Sequence, residues 1–135
     1  INYIDGIAIN SNGLIPRKEP LLEESYAVYK KRFAVSSSGT LDQTLDIYIN
    51  VTKNEFLNNN LKFALYNSTG SKISSGSIPS SDKVLLVSGD ILKTNSTNSY
   101  TVIIWLNDDG TNQNYEMSNA FVGGFDINAQ QLKYQ

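Results

Sequence analysis

The chain has 135 residues, enough for one domain with its own core; 40% are hydrophobic and 18% charged, and none is cysteine or histidine. The absence of both residue types excludes disulfides, thiolate zinc sites, cysteine nucleophiles, Ser-His-Asp hydrolysis and histidine-based zinc motifs. The net charge of −2 and the pI near 5.0 argue against a nucleic-acid surface and against binding to anionic membranes.

Residues 1–10 predict a strand-like N-terminal arm, because apolar side chains recur at alternate positions. Asp5 interrupts this apolar series, which consists of Ile1, Tyr3, Ile7 and Ile9. The turn signal Ser11-Asn12-Gly13 ends the arm, so we divide the chain into an arm of residues 1–12 and a β-sandwich domain of residues 13–135. Residues 14–25 include Pro16 and Pro20 and predict an irregular connection.

The middle of the chain predicts short strands separated by turns rich in Ser, Gly, Asn and Pro. These strands cover residues 26–35, 41–52, 61–66, 72–78 and 84–87. The clearest alternation places Leu45, Ile47, Ile49 and Val51 on the inward face. The basic triplet Lys30-Lys31-Arg32 lies within the first of these strands, and a solvated strand face is favoured over a phosphate site.

Residues 100–106, with the sequence YTVIIWL, predict the central strand of the fold. One face carries Tyr100, Val102, Ile104 and Leu106, and the other carries Thr101, Ile103 and Trp105. Apolar residues on both faces indicate burial on both sides. The turn Asn107-Asp108-Asp109-Gly110 ends the strand, a polar loop reaches Asn119, and residues 120–129 predict the last strand, with a bulge at Gly123-Gly124.

Eight or nine short strands without a convincing helix predict an all-β fold, an antiparallel β-sandwich of the immunoglobulin or jelly-roll kind. No apolar run approaches the roughly 18 residues of a membrane span. No signal peptide is recognisable and the chain starts at Ile1 instead of Met, which is compatible either with removal of a secretion leader or with trimming.

The acidic loop between the last two predicted strands offers several oxygen ligands, from Asp108, Asp109, Asn112 and Asn114. This set is superficially similar to a calcium loop, but Gly110 directly follows Asp109, so the calcium-loop spacing is not met. We therefore favour a polar turn in which Asp and Asn side chains accept hydrogen bonds from nearby backbone amides. Glu116 lies close by in the sequence.

Other candidate sites have structural explanations that we favour. Glu23 and Glu24 are adjacent in a proline-bounded connection, which gives no opposed pair across a sugar ring. Trp105 and the eight tyrosines are candidates for a sugar-stacking platform, yet the position of Trp105 in the most apolar segment favours core packing. Sequons occur at Asn50, Asn67 and Asn95, about as many as this composition gives by chance. We predict no catalytic residue, no cofactor and no metal.

Three features of the sequence resemble the secreted TasA/camelysin-like subunits of Gram-positive bacteria, a jelly-roll family. They are a tyrosine-led strand entering an acidic, Asn-rich loop (YTVIIWLNDDGTNQNYEMSN), the terminal strand FVGGFDINAQQ, and an early GLIP segment followed by a strand, a Ser/Gly turn and a long alternating strand. The order of elements matches over residues 13–131, and the residues match best in the last third.

The resemblance implies a secreted, cell-surface or biofilm-matrix protein that forms a pilus-like filament with other copies of itself. In such filaments the arm of one subunit fills a groove in the sheet of its neighbour. By this resemblance the donor side chains are Ile1, Tyr3, Ile7 and Ile9, and the plain alternative is an edge strand within the same domain. The partners implied are other copies in a head-to-tail filament and a cell-wall or matrix anchor, without nucleic acid and without membrane insertion.

Two other functions remain open from the sequence. One is a monomeric cell-surface binding module, for instance for carbohydrate, with exposed aromatic residues as its contacts. The other is an enzyme that uses only carboxylates and hydroxyls. The camelysin name implies metalloprotease activity, but the chain lacks the histidine and the glutamate-centred zinc motif that this chemistry needs.

Overall fold

The computed structural model describes residues 2–5, 8–12, 14–37, 40–56 and 58–132. Within them lie nine strands and one short 3₁₀ turn, Asn114–Glu116. The strands are β1 (Asn2–Asp5), β2 (Ala8–Asn12), β3 (Tyr29–Ser36), β4 (Gln43–Asn54), β5 (Leu61–Asn67), β6 (Lys72–Ser77), β7 (Asp82–Leu92), β8 (Thr97–Leu106) and β9 (Ala120–Gln131).

The strands form two antiparallel sheets. The five-stranded sheet has the order β1-β3-β8-β5-β6, and the four-stranded sheet has the order β2-β9-β4-β7. Every ladder between named strands is antiparallel. The prediction of an all-β antiparallel sandwich is therefore confirmed.

The main core lies between the inner faces of the two sheets. Leu45, Ile47 and Ile49 of β4 are fully buried there, as the alternation of that strand predicts. The ring of Phe33 on β3 contacts the ring of Phe125 on β9, with their centroids 4.1 Å apart. Full burial of a Leu, Ile or Phe side chain stabilises the folded state by about 1.5–3 kcal/mol. The packing between the inner faces therefore holds the two sheets together.

Strand β8 is the third of the five strands in its sheet and is buried on both faces, as predicted. Val102, Ile104 and Leu106 belong to the main core. Ile103 and Trp105 form a second cluster on the outer face, together with Ala64 and Tyr66 of β5. Leu22 and Val28 pack against this cluster, so the irregular connection before β3 covers part of the outer face of the five-stranded sheet.

Arg17 fastens that connection to the end of β8. Its backbone N–H donates to the carbonyl oxygen of Leu106 at 2.9 Å. Its guanidinium donates to the carbonyl oxygen of Tyr26 at 2.7 Å and to the carboxylate of Glu24 at 3.0 Å. The connection is irregular, as predicted, yet it is held in place by an isolated parallel bridge between Arg17 and Asn107 and by the side-chain hydrogen bonds of Arg17.

Strand β7 is longer than the sequence predicts, because it continues through Ser88, Gly89 and Asp90 to Leu92. The ladder between β7 and β4 contains register shifts between Leu45 and Tyr48. At this irregularity the amide of Gly89 and the hydroxyl of Ser88 both donate to the carboxylate of Asp46, at 2.9 and 3.0 Å. The bulge thus accommodates polar residues that break the sequence alternation.

The predicted bulge at Gly123-Gly124 is wrong. Both glycines lie in a regular ladder with β2, and the register shift lies on β4, between Val51 and Lys53. A Cβ atom at Gly123 would lie 2.7 Å from the carbonyl oxygen of Asn50 and 3.0 Å from the ring of Phe121. Gly123 is therefore required by close approach of the backbone of β4.

We expect Gly123→Ala to lower the free energy of unfolding by about 1–3 kcal/mol, because the added methyl group overpacks a site walled by backbone. Urea unfolding measures the change. Gly76→Ala is the matched control, since its Cβ would lie 3.3 Å from its nearest neighbour, the ring of Phe63. Equal effects of the two substitutions would contradict the close-approach explanation.

Candidate assembly site

The arm proposed from the sequence forms two strands in different sheets. β1 pairs with β3, and Tyr3 lies opposite Val35. β2 pairs with β9, and Ile9 lies opposite Gly123. The prediction of one continuous strand over residues 1–10 is therefore wrong, and a register shift lies between Tyr3 and Asp5. The other two proposed donor residues, Ile1 and Ile7, lie outside the described residues.

Both arm strands occupy the same side of the sandwich. β1 and β2 are each the outermost strand of their sheet, next to β3 and β9. β3 and β9 face each other across the core, as the contact between Phe33 and Phe125 shows. β1 and β2 therefore cover one edge of each sheet, and without them the outer edges of β3 and β9 would be unpaired.

The described residues of the arm have eight paired positions, three with β3 and five with β9. Each backbone hydrogen bond contributes about 0.5–1.5 kcal/mol net. A ladder of this kind depends on backbone geometry, so the same contacts form whether the arm belongs to the same chain or to an identical neighbour. The arrangement is chemically suited to strand exchange between copies.

The opposite side of the sandwich presents a different kind of edge. β6 and β7 are the outer strands there. Lys72 at the start of β6 donates to the carboxylate of Glu19 at 2.7 Å, and β7 begins with the charged residues Asp82 and Lys83 and carries the bulge at Gly89. Charges and bulges of this kind discourage strand addition.

The acidic loop is a set of side-chain-to-backbone turns, as the sequence analysis favours. The carboxylate of Asp108 accepts from the amide of Gly110, and that of Asp109 accepts from the amide of Thr111, each at 2.9 Å. Asn112 accepts from the amide of Asn114 at 3.0 Å. Hydrogen bonds first from Thr111 and then from Asn60 hold the pKa of Asp109 below its usual value. Over the described ranges, no three acidic residues come together as metal ligands.

A buried polar network beneath this loop was not found from the sequence. Glu116 is fully buried, and Asn60 and Gln113 are 3% exposed. The carboxylate of Glu116 accepts from the side-chain amides of Gln113 and Asn60, at 2.9 and 3.1 Å. Gln113 also donates to the carbonyl oxygen of Asn107 at 2.8 Å, and the backbone amide of Asn107 donates to the carbonyl oxygen of Asn60 at 2.7 Å. The network joins the loop before β9 to the start of β5.

The structure places the remaining candidate residues of the sequence in hydrogen bonds, in the core or at the surface. Glu24 accepts from the backbone amide of Leu21 and from Arg17, and these bonds lower the pKa of its carboxyl, whereas Glu23 is exposed. Trp105 is 3% exposed and belongs to the second core cluster. Among the side chains that the structure describes, the large exposed aromatic ones are those of Tyr26 and Tyr115.

The three sequons differ in their surroundings. Asn67 accepts from the backbone amides of Thr69 and Ser71, so its side chain closes the β5–β6 turn. Asn50 lies within β4, paired with Lys83 on one side and Gly124 on the other. Asn95 is exposed in the β7–β8 turn and has a φ of 55°.

Comparisons with known proteins give no assignment for this chain. No protein-family model matches it, and a search of curated proteins finds no match. None of the helical residues that the structure describes forms a helix long and apolar enough to cross a membrane.

Proposed function

We propose that this chain is a structural subunit of an extracellular filament or biofilm-matrix fibre, and that it polymerises by donor-strand complementation through residues 1–12. The observation that carries the proposal is that this arm supplies one edge strand to each sheet. One arm therefore completes both sheets at once. Transfer of the arm to a neighbour would leave the donor's own edges open for the arm of a further copy.

This exchange gives an open filament. The donor surface is the arm and the acceptor surface is the edge of β3 and β9 that the arm covers until it leaves, so the two surfaces differ. Head-to-tail contacts between different surfaces continue indefinitely unless the rotation closes a ring. Tyr3 and Ile9 then lie opposite Val35 and Gly123 of the next copy, in the register seen within one chain, and we keep Ile1 and Ile7 as donor residues.

We further infer a sandwich of the jelly-roll type. From β2 onward, the sheets have the orders β2-β9-β4-β7 and β3-β8-β5-β6, with β1 added next to β3. Two four-stranded sheets built from strands that cross between them are characteristic of the jelly roll. This strand order is the one that the family resemblance implies, and with that resemblance we propose a secreted location and a cell-wall or matrix anchor.

The first test is whether the purified chain assembles. We expect electron microscopy to show thin unbranched filaments, and size exclusion to show species far larger than the 14.9 kDa chain. Assembly should persist at high salt, because backbone hydrogen bonds and apolar contacts are screened little by ions. A chain that stays monomeric at every concentration and salt condition would contradict the proposal.

A further inference from the structure

An open groove lies on the outer face of the five-stranded sheet, beside the second core cluster. Its cavity measures about 410 Å³, and its walls come from β3, β8 and the β5–β6 turn. Ser99 also lines two smaller cavities, of about 200 and 170 Å³. The first of these reaches Asp90 and Ile91 of β7 in the other sheet.

The groove is locally basic although the chain is acidic overall. Lys30 and Arg32 line its wall from β3, and both are exposed. Across the described part of the chain, neither of them forms an ion pair with an acidic side chain. The ammonium of Lys30 donates to the carbonyl oxygen of Leu22 at 2.5 Å, which fixes its side chain against the groove wall.

The two cations lie on one face of one strand. Two residues of a strand span about 6.6 Å, so the charges follow each other along the groove. Among the described residues that line the groove, none is acidic. Asp90 lines the separate cavity of about 200 Å³, where its carboxylate accepts from the hydroxyl of Tyr100 at 2.5 Å. The arrangement favours a ligand with repeated negative charges over a single compact anion.

The rest of the groove is rich in hydroxyl groups. Ser68, Ser99 and Thr101 line the main cavity, and each side chain is at least partly exposed. Tyr100, the aromatic residue of that cavity, is only 2% exposed, because its ring packs on Phe33 in the core. A groove with hydroxyls but no exposed aromatic ring lacks the aromatic platform on which nucleobases stack, whereas hydroxyls suit the hydroxyl groups of sugars.

We propose that this groove binds an acidic polysaccharide, with Lys30 and Arg32 pairing to its carboxylates and Ser68, Ser99 and Thr101 bonding its hydroxyls. The site lies on the outer face of the sheet, away from the inner-face core. Polysaccharide binding therefore does not depend on filament assembly, and an experiment can contradict either proposal without contradicting the other.

The test uses isothermal titration of the full chain with oligogalacturonate, a uronic acid oligomer. We expect binding that weakens at least about tenfold when ionic strength rises from about 0.05 to 0.5 M, since the contacting charges are exposed. The double substitution Lys30→Gln, Arg32→Gln should weaken binding at least about tenfold without changing the melting temperature. The matched control is Lys53→Gln, Lys93→Gln, which removes the same charge from exposed side chains outside the groove and should bind as the unsubstituted chain does.

Three results would overturn the proposal. One is the absence of binding to oligogalacturonate. The second is an equal loss in the groove variant and the control, which would mean that net charge alone is responsible. The third is equal or tighter binding of a single-stranded DNA of the same length, which would show that the groove reads negative charge and not a glycan. Ser99→Ala alone, with Lys30 and Arg32 kept, should also weaken binding of the glycan relative to the unsubstituted chain.

Discussion

Replacing Glu116 with alanine should lower the free energy of unfolding by about 2–4 kcal/mol. Glu116 is fully buried and accepts from the side-chain amides of both Gln113 and Asn60. Its removal leaves two buried donors without this acceptor, and each unsatisfied donor costs about 1–3 kcal/mol. The cavity left by the side chain adds to this loss. Urea unfolding, followed by circular dichroism, measures the change.

Two further variants test whether the loss of stability comes from the buried hydrogen-bond network or only from the loss of a negative charge. Glu23→Ala removes the same charge from an exposed residue and should change stability by less than about 0.5 kcal/mol. Glu116→Gln keeps the size of the side chain and one acceptor oxygen, but it replaces the other oxygen with an N–H₂ group that faces the donors of the network. We therefore expect an intermediate loss of unfolding free energy. If Glu116→Ala were as mild as Glu23→Ala, the network would not stabilise the loop.

Deleting residues 1–12 should abolish filament assembly and lower the melting temperature of the remaining domain. The deletion removes eight ladder positions and exposes the edges of β3 and β9. Addition of a synthetic peptide with the sequence of residues 1–12 should restore the lost stability in a concentration-dependent way. At a peptide concentration about 100 times its dissociation constant, the gain is about 2.7 kcal/mol.

The control peptide carries Ile9→Pro and Asn10→Pro. Successive residues of a strand direct their N–H groups to opposite sides, so one of these two positions must face β9. Proline has no N–H to donate, and the double substitution should therefore prevent binding. Filaments formed by the deleted chain would contradict the proposed role of the arm. The same conclusion follows if the deleted chain fails to fold and the intact chain never assembles.

The central strand of the fold could be predicted from the sequence because the pattern that identifies it lies within a few consecutive residues. Tyr100 to Leu106 has apolar side chains on both faces, and only a strand covered on both sides suits that pattern. The alternation of β4 likewise identifies its inner face without reference to other strands. The polar turn at Asp108 and Asp109 was predictable because the side-chain-to-backbone hydrogen bonds that close it reach only two residues along the chain.

What could not be predicted depends on distant parts of the chain. Alternation in the arm shows that it is extended, but it does not show that β1 and β2 join different sheets. Gly123 is required by the backbone of β4, which is far away in sequence. The burial of Glu116 depends on Asn60, 56 residues earlier in the chain, so no local pattern distinguishes it from an exposed acid.

Exchange of the arm between copies is tested most directly by mixed cysteine crosslinking. The chain has no cysteine, so Asn10→Cys in one version and Val122→Cys in a second, heavier version are the only thiols present. The two positions are ladder partners of β2 and β9, and the Cα separation of such pairs, about 4.5–5.5 Å, suits a disulfide. After co-assembly and oxidation, we predict a covalent dimer of mixed mass. Filaments that form without this mixed dimer would contradict donor-strand exchange.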